Sequence, residues 1–388
     1  MENLDVYQNI VSWKKPYHFG RAKLAKWWVR LNPQAEIIAI TGSVGKTTTK
    51  EAITQVLSQN FSSVASYANL DPVFNIPITI LKIRPWTKKV VLEMGIEYSG
   101  EMDFYLSLVK PKIGVITQIY LTHTEFLGDL GGVLDEKGKM IEALPKDGVA
   151  ILNWEDQNVR SLAQKTNARV FWYGLNSQKS DLWAADFRQS FSGSAFLLAT
   201  KDRRTVVTWK LVGRHNLVSA LAAAAVGLNS GLTLDEISQN LAKLTAQPGR
   251  LNVKAGLKGS IILDDSYNSS PLAAKASLQT LVELAASRRK IAVLADMLEL
   301  GKFACQAHQQ IGQFASDLGV NLLFAYGDNS KLTIKSAQRS GMVKTAIWFE
   351  SLTKLIQKLK KEIQNDDLIL VKGSRAMRME RVVEAIGE

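Results

Sequence analysis

An apolar run, Ile37-Ile38-Ala39-Ile40-Thr41, breaks into Gly42-Ser43-Val44-Gly45-Lys46-Thr47 and then continues with helical periodicity through residue 60. A strand that turns through paired glycines into a helix commits the chain around it to a strand–loop–helix unit. The glycines let backbone N–H groups turn inward on phosphate oxygens, and the first turn of the helix adds the positive end of its dipole. Lys46 brings a charge for the β- and γ-phosphates, Thr47 a hydroxyl for Mg²⁺, and Thr48 a second hydroxyl beside it. A glycine turn with a chance Lys-Thr is the plainer alternative, and the strand before and the helix after it speak against that. Only Ser43 and Val44 separate the glycines, whereas the common phosphate loop has four intervening residues.

Around this loop the pattern alternates. Short Val- and Ile-rich strands are expected at 36–41, 88–93, 112–117 and 148–152, with helices at 46–60, 101–109 and 132–144. That is the signature of a parallel sheet covered by helices. Residues 155–212 are less regular, with strands expected at 169–173 and 204–211, and an alanine-rich helix follows at "HNLVSALAAAAVGL". The turn "AQPGR" at 246–250 suggests a domain boundary. Beyond it strands at 260–264, 290–295, 321–326, 346–349 and 367–371 alternate with helices at 272–286, 304–318, 331–340, 351–363 and 376–386. The expected fold class is α/β: a central phosphate-loop, parallel-sheet ATPase domain (36–247) followed by a smaller doubly wound, Rossmann-like domain (248–388).

Residues 1–35 form a basic extension. Within 11–35 there is no acid, and Leu24, Trp27, Trp28 and Leu31 recur at helical spacing, with Arg21, Lys23, Lys26 and Arg30 around the other faces. Such a helix suits an anionic membrane surface. It equally suits a helix that packs its tryptophans on the protein.

The chain has a net charge of +12, which attracts polyanions but does not choose among them. No apolar stretch reaches bilayer-spanning length, no secretory leader is visible, and Cys305 is the sole cysteine. An intramolecular disulfide and a cysteine-built metal centre are excluded, and a cytoplasmic setting, peripheral at the inner membrane face if the N-terminal helix docks there, is expected.

The blocks "ITGSVGKTTTKE", "EMGIEYSGEM", "THTEFLG", "GRHNLVSALAAAA", "PGRLN", "DDSYNSSP", "ADMLELG" and "VKGSRAMRME" stand in this order. Together they resemble the Mur ligases from about residue 36 to the C-terminus. The last four favour the branch that adds D-alanyl-D-alanine to a muramoyl-peptide. The resemblance implies an ADP-forming carbon–nitrogen ligase of peptidoglycan precursor synthesis. Its carboxylate substrate is phosphorylated by ATP to an acyl phosphate, which an amine then attacks. Such phosphoryl transfer needs mainly positioning and charge neutralisation.

Glu93 ends an apolar strand where a loop begins, the place where α/β sheets bind ligands, and its carboxylate is a hard ligand suited to Mg²⁺. The resemblance assigns it to the metal with Thr47, and assigns His123 to a second Mg²⁺. It also matches Lys137 to a lysine that is commonly carbamylated into a metal-ligating group. Lys139 departs from the branch, where Glu is usual, and an ordinary solvated Lys137 stays open. By the same resemblance Asn216 contacts adenine, Arg250 reaches the ATP phosphates, Asp265 holds the ribose hydroxyls, and Tyr267 and Asn268 shape that pocket. The loop residues Gly42, Ser43, Val44, Gly45, Lys46, Thr47 and Thr48 hold the phosphates. Lys46, His123, Lys137 and Arg250 are the expected catalytic set. Asp296, Glu299, Lys372, Ser374 and Arg375 follow expected strand ends and are candidates for the incoming amino substrate.

Two departures bear on the substrate. The basic piece before residue 36 is far smaller than the UDP-sugar-binding domain of the family. The acyl-side loops also differ: Asp71-Pro72 replaces two Asn, Asn75 replaces Gly, and Ile96-Glu97-Tyr98 and Tyr120-Leu121 are unusual. Ligation of a lipid-linked or non-muramoyl acid is the alternative of the same chemistry. An ATP-binding scaffold without turnover is the alternative of another class. Action on nucleic acid is disfavoured because stacking aromatics are not interleaved with the cations.

Overall fold

The computed structural model describes residues 14–67, 70–122, 124–175, 177–342 and 345–388, so His123 lies outside the described residues. The chain divides into two compact units. The first runs to Phe187 and adds Ala195–Trp209 and Asn216–Leu244; the second comprises Arg188–Ser194, Lys210–His215 and Thr245–Glu388.

The first unit is organised on a nine-stranded sheet. Its strands are β1 (Glu36–Thr41), β2 (Ser63–Ala65), β3 (Lys89–Glu93), β4 (Ile113–Ile116), β5 (Val149–Asn153), β6 (Arg169–Gly174), β7 (Leu182–Ser190), β8 (Gly193–Thr200) and β9 (Arg204–Trp209). They stand in the order β2-β3-β1-β4-β5-β6-β7-β8-β9. The pairs from β2 through β6 are parallel. In the centre, Ile38, Ala39, Ile40 and Thr41 are fully buried, which is why β1 reads as an unbroken apolar run. Register pairs Ile40 with Glu93 and Thr41 with Ile116. The ends of β1, β3 and β4 therefore meet at one edge, where the glycine loop starts. Strands β7 and β8 were not expected from the sequence.

The N-terminal helix, Lys15–Arg30, corrects the expected single face. Ala22 and Ala25 are its buried residues, Trp28 packs beside them, and the indole Nε1 of Trp28 donates to the Ile83 carbonyl at 3.0 Å. Leu24, Trp27 and Leu31 point outward, each at least half exposed. The small alanines allow close approach to the helix Pro72–Ile80, so the alanine stripe, not the bulkier one, faces the core.

The second unit holds β10 (Asn252–Gly256), β11 (Ser260–Asp265), β12 (Lys290–Ala295), β13 (Leu322–Tyr326), β14 (Ala346–Phe349) and β15 (Leu368–Lys372), in the order β10-β11-β15-β12-β13-β14. Only β10 runs antiparallel, at the edge. Alternate residues of the parallel strands enter separate apolar clusters: Leu263, Leu294, Leu323 and Leu370 in one, Ile262, Val293, Phe324 and Ile369 in the other. This is the two-sided covering of a doubly wound sheet. Register sets Asp265 directly beside Lys372.

Candidate active site

In the first unit the chain leaves β1 through Gly42, whose φ is +147°. A Cβ there would lie 2.0 Å from Thr117 Oγ1, so the loop runs too close to the end of β4 for any side chain. Gly45 takes the left-handed conformation, φ 83°, and opens the helix Lys46–Ser58 without a side-chain cap. The first-turn amides are thus offered by backbone alone, as an anion cradle requires. The loop is anchored from outside. Ser43 Oγ donates to the Tyr120 carbonyl at 2.8 Å and accepts from the Tyr120 amide at 2.9 Å. Thr117 Oγ1 donates to the Val44 carbonyl at 2.7 Å. Lys46 Nζ donates to the Gly42 carbonyl at 2.8 Å, so its charge is held over the loop. Thr47 Oγ1 donates to Glu93 Oε1 at 3.0 Å. A hydroxyl and a carboxylate converge there beside the lysine.

That pair fits a hard divalent cation in donor chemistry. Among the described residues no group of three or more His, Cys, Asp and Glu side chains makes a metal cage by itself. A bound nucleotide phosphate would add further oxygens to a cation held by Thr47 and Glu93.

Lys137, on the helix Leu130–Glu142, is fully buried, and its Nζ has no hydrogen-bond partner. Burial holds its pKa well below the ordinary lysine value, and the charge of Lys46 pushes the same way. The opposing carboxylates are Glu101 and Glu136. Glu136 accepts from the amides of Gly100 (2.8 Å) and Met102 (3.1 Å) and from Lys139 at 2.6 Å. Lys139 also bridges to Asp103 at 2.7 Å, so the unusual lysine is paired with one exposed and one buried carboxylate. Glu101 accepts from the amides of Glu97 and Tyr98, and burial raises its pKa. These acids were missed from the sequence. Glu136 stands next to Lys137, but its task becomes visible only when the helix Glu101–Leu108 lies against it.

The altered acyl-side loops have local reasons. Asp71 caps the helix Pro72–Ile80, accepting from the Val73 amide at 2.9 Å, and Pro72 occupies the first turn, where its missing N–H is harmless. Asn75 donates to the carbonyls of Tyr67 (2.9 Å) and Leu70 (3.2 Å) and accepts from the Tyr67 amide at 3.0 Å. It ties this stretch in a way that glycine cannot. Ile96 is buried in the core, and the rings of Tyr98 and Phe126 meet at a tilt, with centroids 4.6 Å apart. Asn216, also in this unit, is buried just before the helix Leu217–Asn229.

The second unit gathers its own cluster at the ends of β11 and β15. Lys372 Nζ donates to Asp265 at 2.5 Å and to the Asn268 carbonyl at 2.9 Å, and Ser277 Oγ donates to the same carboxylate at 2.6 Å. Burial lowers the Lys372 pKa, against the attraction of Asp265. Beside them His215 is pushed down to about 4, chiefly by burial. The Arg250 guanidinium lies over the Tyr267 ring at 4.2 Å, and Arg375 approaches the same ring at 5.7 Å. Asp296 accepts from the amides of Asn329 (3.2 Å) and Ser330 (2.7 Å) and from Ser330 Oγ at 2.6 Å, which anchors the helix Ser330–Arg339. Ser374 Oγ accepts from the Leu298 amide at 2.9 Å. Glu299 takes a positive φ of 63° in the same loop. The cluster joins Arg250, Asp265, Tyr267, Lys372 and Arg375. The coupling of Asp265 to Lys372 was missed, because the two are 107 residues apart.

The Mur ligase middle domain family model matches residues 40–227, and the model of the Mur ligase glutamate ligase domain matches residues 249–375. The UDP-N-acetylmuramoyl-tripeptide–D-alanyl-D-alanine ligase of Escherichia coli (strain K12) is 35% identical over 100% of this chain and 83% of its own length. The ligase of the same name from Bacillus subtilis (strain 168) is 31% identical over 91% of this chain and 76% of its own. Among solved structures, MurF from Acinetobacter baumannii superposes with a TM-score of 0.87 at 25% identity, covering 95% of this chain and 80% of that one. MurF ligase from Thermotoga maritima in complex with ADP superposes at 0.84 and 25% identity, covering 95% and 83%.

Proposed function

The chain belongs to the Mur ligase family, and we propose that it is an ATP-dependent amide ligase that adds D-alanyl-D-alanine to UDP-N-acetylmuramoyl-tripeptide in peptidoglycan precursor synthesis. The observation that carries this reading is the convergence of Lys46, Thr47 and Glu93 on one edge of a glycine cradle, within a chain similar end to end to ligases of that name. A substrate carboxylate oxygen attacks the γ-phosphorus, the bond to the β-phosphate breaks, and ADP leaves. The dipeptide amine then attacks the acyl carbon and phosphate departs. Lys46 and the loop amides hold the transferring phosphate, while Thr47 and Glu93 would hold Mg²⁺. That ion, when bound, supplies positive charge against the charge developing on the phosphate oxygens. His123 would serve a second ion.

Lys137 supports carbamylation. A buried, unpartnered amine whose pKa burial lowers favours the deprotonated form that attacks CO₂. Its nitrogen lone pair bonds to the carbon and the amine proton leaves to solvent, creating an anion next to the positive Lys46. By the family resemblance, Asn216 of the first unit is proposed to contact adenine, and in the second unit Asp265 is proposed to hold the ribose hydroxyls, with Tyr267 beside it, and Arg250 to reach the phosphates. Ser374 and Arg375 are proposed to receive the amino substrate, with Asp296 and Lys372 shaping their loops. We place the reaction in the cytoplasm, peripheral to the inner membrane through residues 11–31.

The test supplies purified protein with ATP, Mg²⁺, D-alanyl-D-alanine and a panel of muramoyl-peptides, following phosphate release and product mass. Turnover with the UDP-linked tripeptide is expected. Turnover only with lipid-linked or unrelated acids would move the substrate assignment, and ATP binding without phosphate release from any acid would end the ligase reading.

A further inference from the structure

The N-terminal helix has two apolar faces, and the core uses one. On the outer side Tyr17, Leu24 and Leu31 recur every seven residues, with Trp27 between the last two; they are 68%, 50%, 54% and 54% exposed in the order Tyr17, Leu24, Leu31, Trp27. Single exposed apolar residues are ordinary, whereas a continuous stripe along one helix marks an interaction surface. Lys23, Lys26 and Arg30 border it, and the helix Lys15–Arg30 contains no Asp or Glu.

A second element of the same unit continues this chemistry. The loop before β3 carries Trp86, 66% exposed, between Arg84 and Lys88, with Lys82 one turn earlier and no acid from Pro72 to Leu92. The loop is tied to the helix. Trp28 Nε1 donates to the Ile83 carbonyl at 3.0 Å, and Gln34, just past the helix, donates to the Pro85 carbonyl at 2.9 Å. The structure thus joins two aromatic, cationic segments that lie about fifty residues apart in sequence.

We propose that this composite surface docks on an anionic lipid bilayer, with Trp27, Trp86 and Tyr17 at headgroup depth, Leu24 and Leu31 just below, and the lysines and arginines on lipid phosphates. The inference rests on the peripheral membrane contact proposed above, and names its face and its lipid class. The charge pattern selects the occupant. A second copy of the chain laid on this face would oppose Lys23, Lys26 and Arg30 to their own equivalents, with no acid on either helix to compensate. An anionic bilayer offers both the opposite charge and an apolar layer, and Trp and Tyr prefer its interface.

The full chain, without substrates, would be mixed with phosphatidylglycerol–phosphatidylcholine vesicles and with pure phosphatidylcholine vesicles. Sedimentation and tryptophan emission are the readouts. Binding to the anionic vesicles with a blue-shifted emission is expected, with much weaker binding to the neutral ones. Each Lys or Arg near an anionic surface contributes about 1 kcal/mol, so Lys23→Gln, Lys26→Gln and Arg30→Gln together should weaken binding roughly a hundredfold. Trp27→Ser and Trp86→Ser, each alone at an exposed site, should each weaken it and reduce the blue shift. All should keep the phosphate release of the unsubstituted protein in vesicle-free solution, a separate assay that tests the ligase reading on its own. No binding to anionic vesicles, equal binding to neutral ones, unchanged binding of both tryptophan variants, or a blue shift that follows protein concentration without lipid would each overturn the proposal.

Discussion

Lys137 and Lys372 are both fully or almost fully buried, one in each unit, and burial lowers the pKa of both. Their surroundings are opposite. Lys137 has no hydrogen-bond partner and faces the like charge of Lys46. Lys372 is held by Asp265 and the Asn268 carbonyl. A buried amine without a partner is an energetic liability that a packed core does not retain for stability. A buried amine in a satisfied network fixes the backbone around it. Lys137 is proposed as the reactive position and Lys372 as the architectural one, and substitutions can test the separation.

The largest effect is expected at the glycine loop, on which the ligase reading depends. Lys46→Ala should lower turnover roughly a thousandfold or more while leaving the thermal midpoint nearly unchanged, measured by phosphate release and by calorimetry. Next comes the lysine pair itself. Lys372→Met strands the Asp265 carboxylate in the interior and should destabilise the second unit by about 3–5 kcal/mol in denaturant titrations. Lys137→Met should leave stability unchanged or raise it by about 1 kcal/mol in buffer purged of CO₂, yet in CO₂-equilibrated buffer it should cut turnover by roughly a hundredfold relative to the unsubstituted protein. Equal destabilisation by both substitutions would erase the contrast. A carbamate carbon signal that appears with ¹³C-labelled CO₂ and vanishes in Lys137→Met would sharpen it.

Acidity separates the units as well. His215 titrates at about 4 in the folded chain against 6.5 unfolded, so between these values the unfolded chain binds the extra proton. Stability in the second unit should therefore be full above about pH 6.5 and fall by about 3 kcal/mol as pH drops to 4. His215→Gln should flatten that slope, read as the difference between the two pH profiles. The smallest effect is expected at Tyr267. Losing the ring under Arg250 in Tyr267→Leu should raise the KM for ATP roughly fivefold, with Tyr267→Phe close to the unsubstituted protein.

The glycine loop, its helix and Glu93 were readable because their signals are local: a strand, a turn and a helix within a few residues, and an acid at a strand end. The alternating strands of both sheets were readable for the same reason, since full burial on two faces writes continuous apolar runs. Strands β7 and β8 were not: β7 alternates buried with exposed polar positions, whereas β8, a buried stretch of small and apolar residues, was missed without such a reason. The departures at Asp71 and Asn75 pointed in the sequence to a changed acyl substrate; in the structure Asp71 caps a helix and Asn75 ties a loop. Nothing in a linear pattern tells a capping Asp from a substrate ligand until the amides it meets are placed.

Residue order alone determined that the chain winds strands and helices around a phosphate cradle, since glycine sterics, helix periodicity and apolar runs act over a few neighbouring positions. Only the tertiary structure decided that Lys137 is left alone while Lys372 is answered by Asp265, and that Tyr17, Leu24, Trp27 and Leu31 face outward instead of Ala22 and Ala25. Those outcomes depend on which surfaces meet across long stretches of chain, and burial, with the dielectric it imposes, belongs to the meeting and not to the residue.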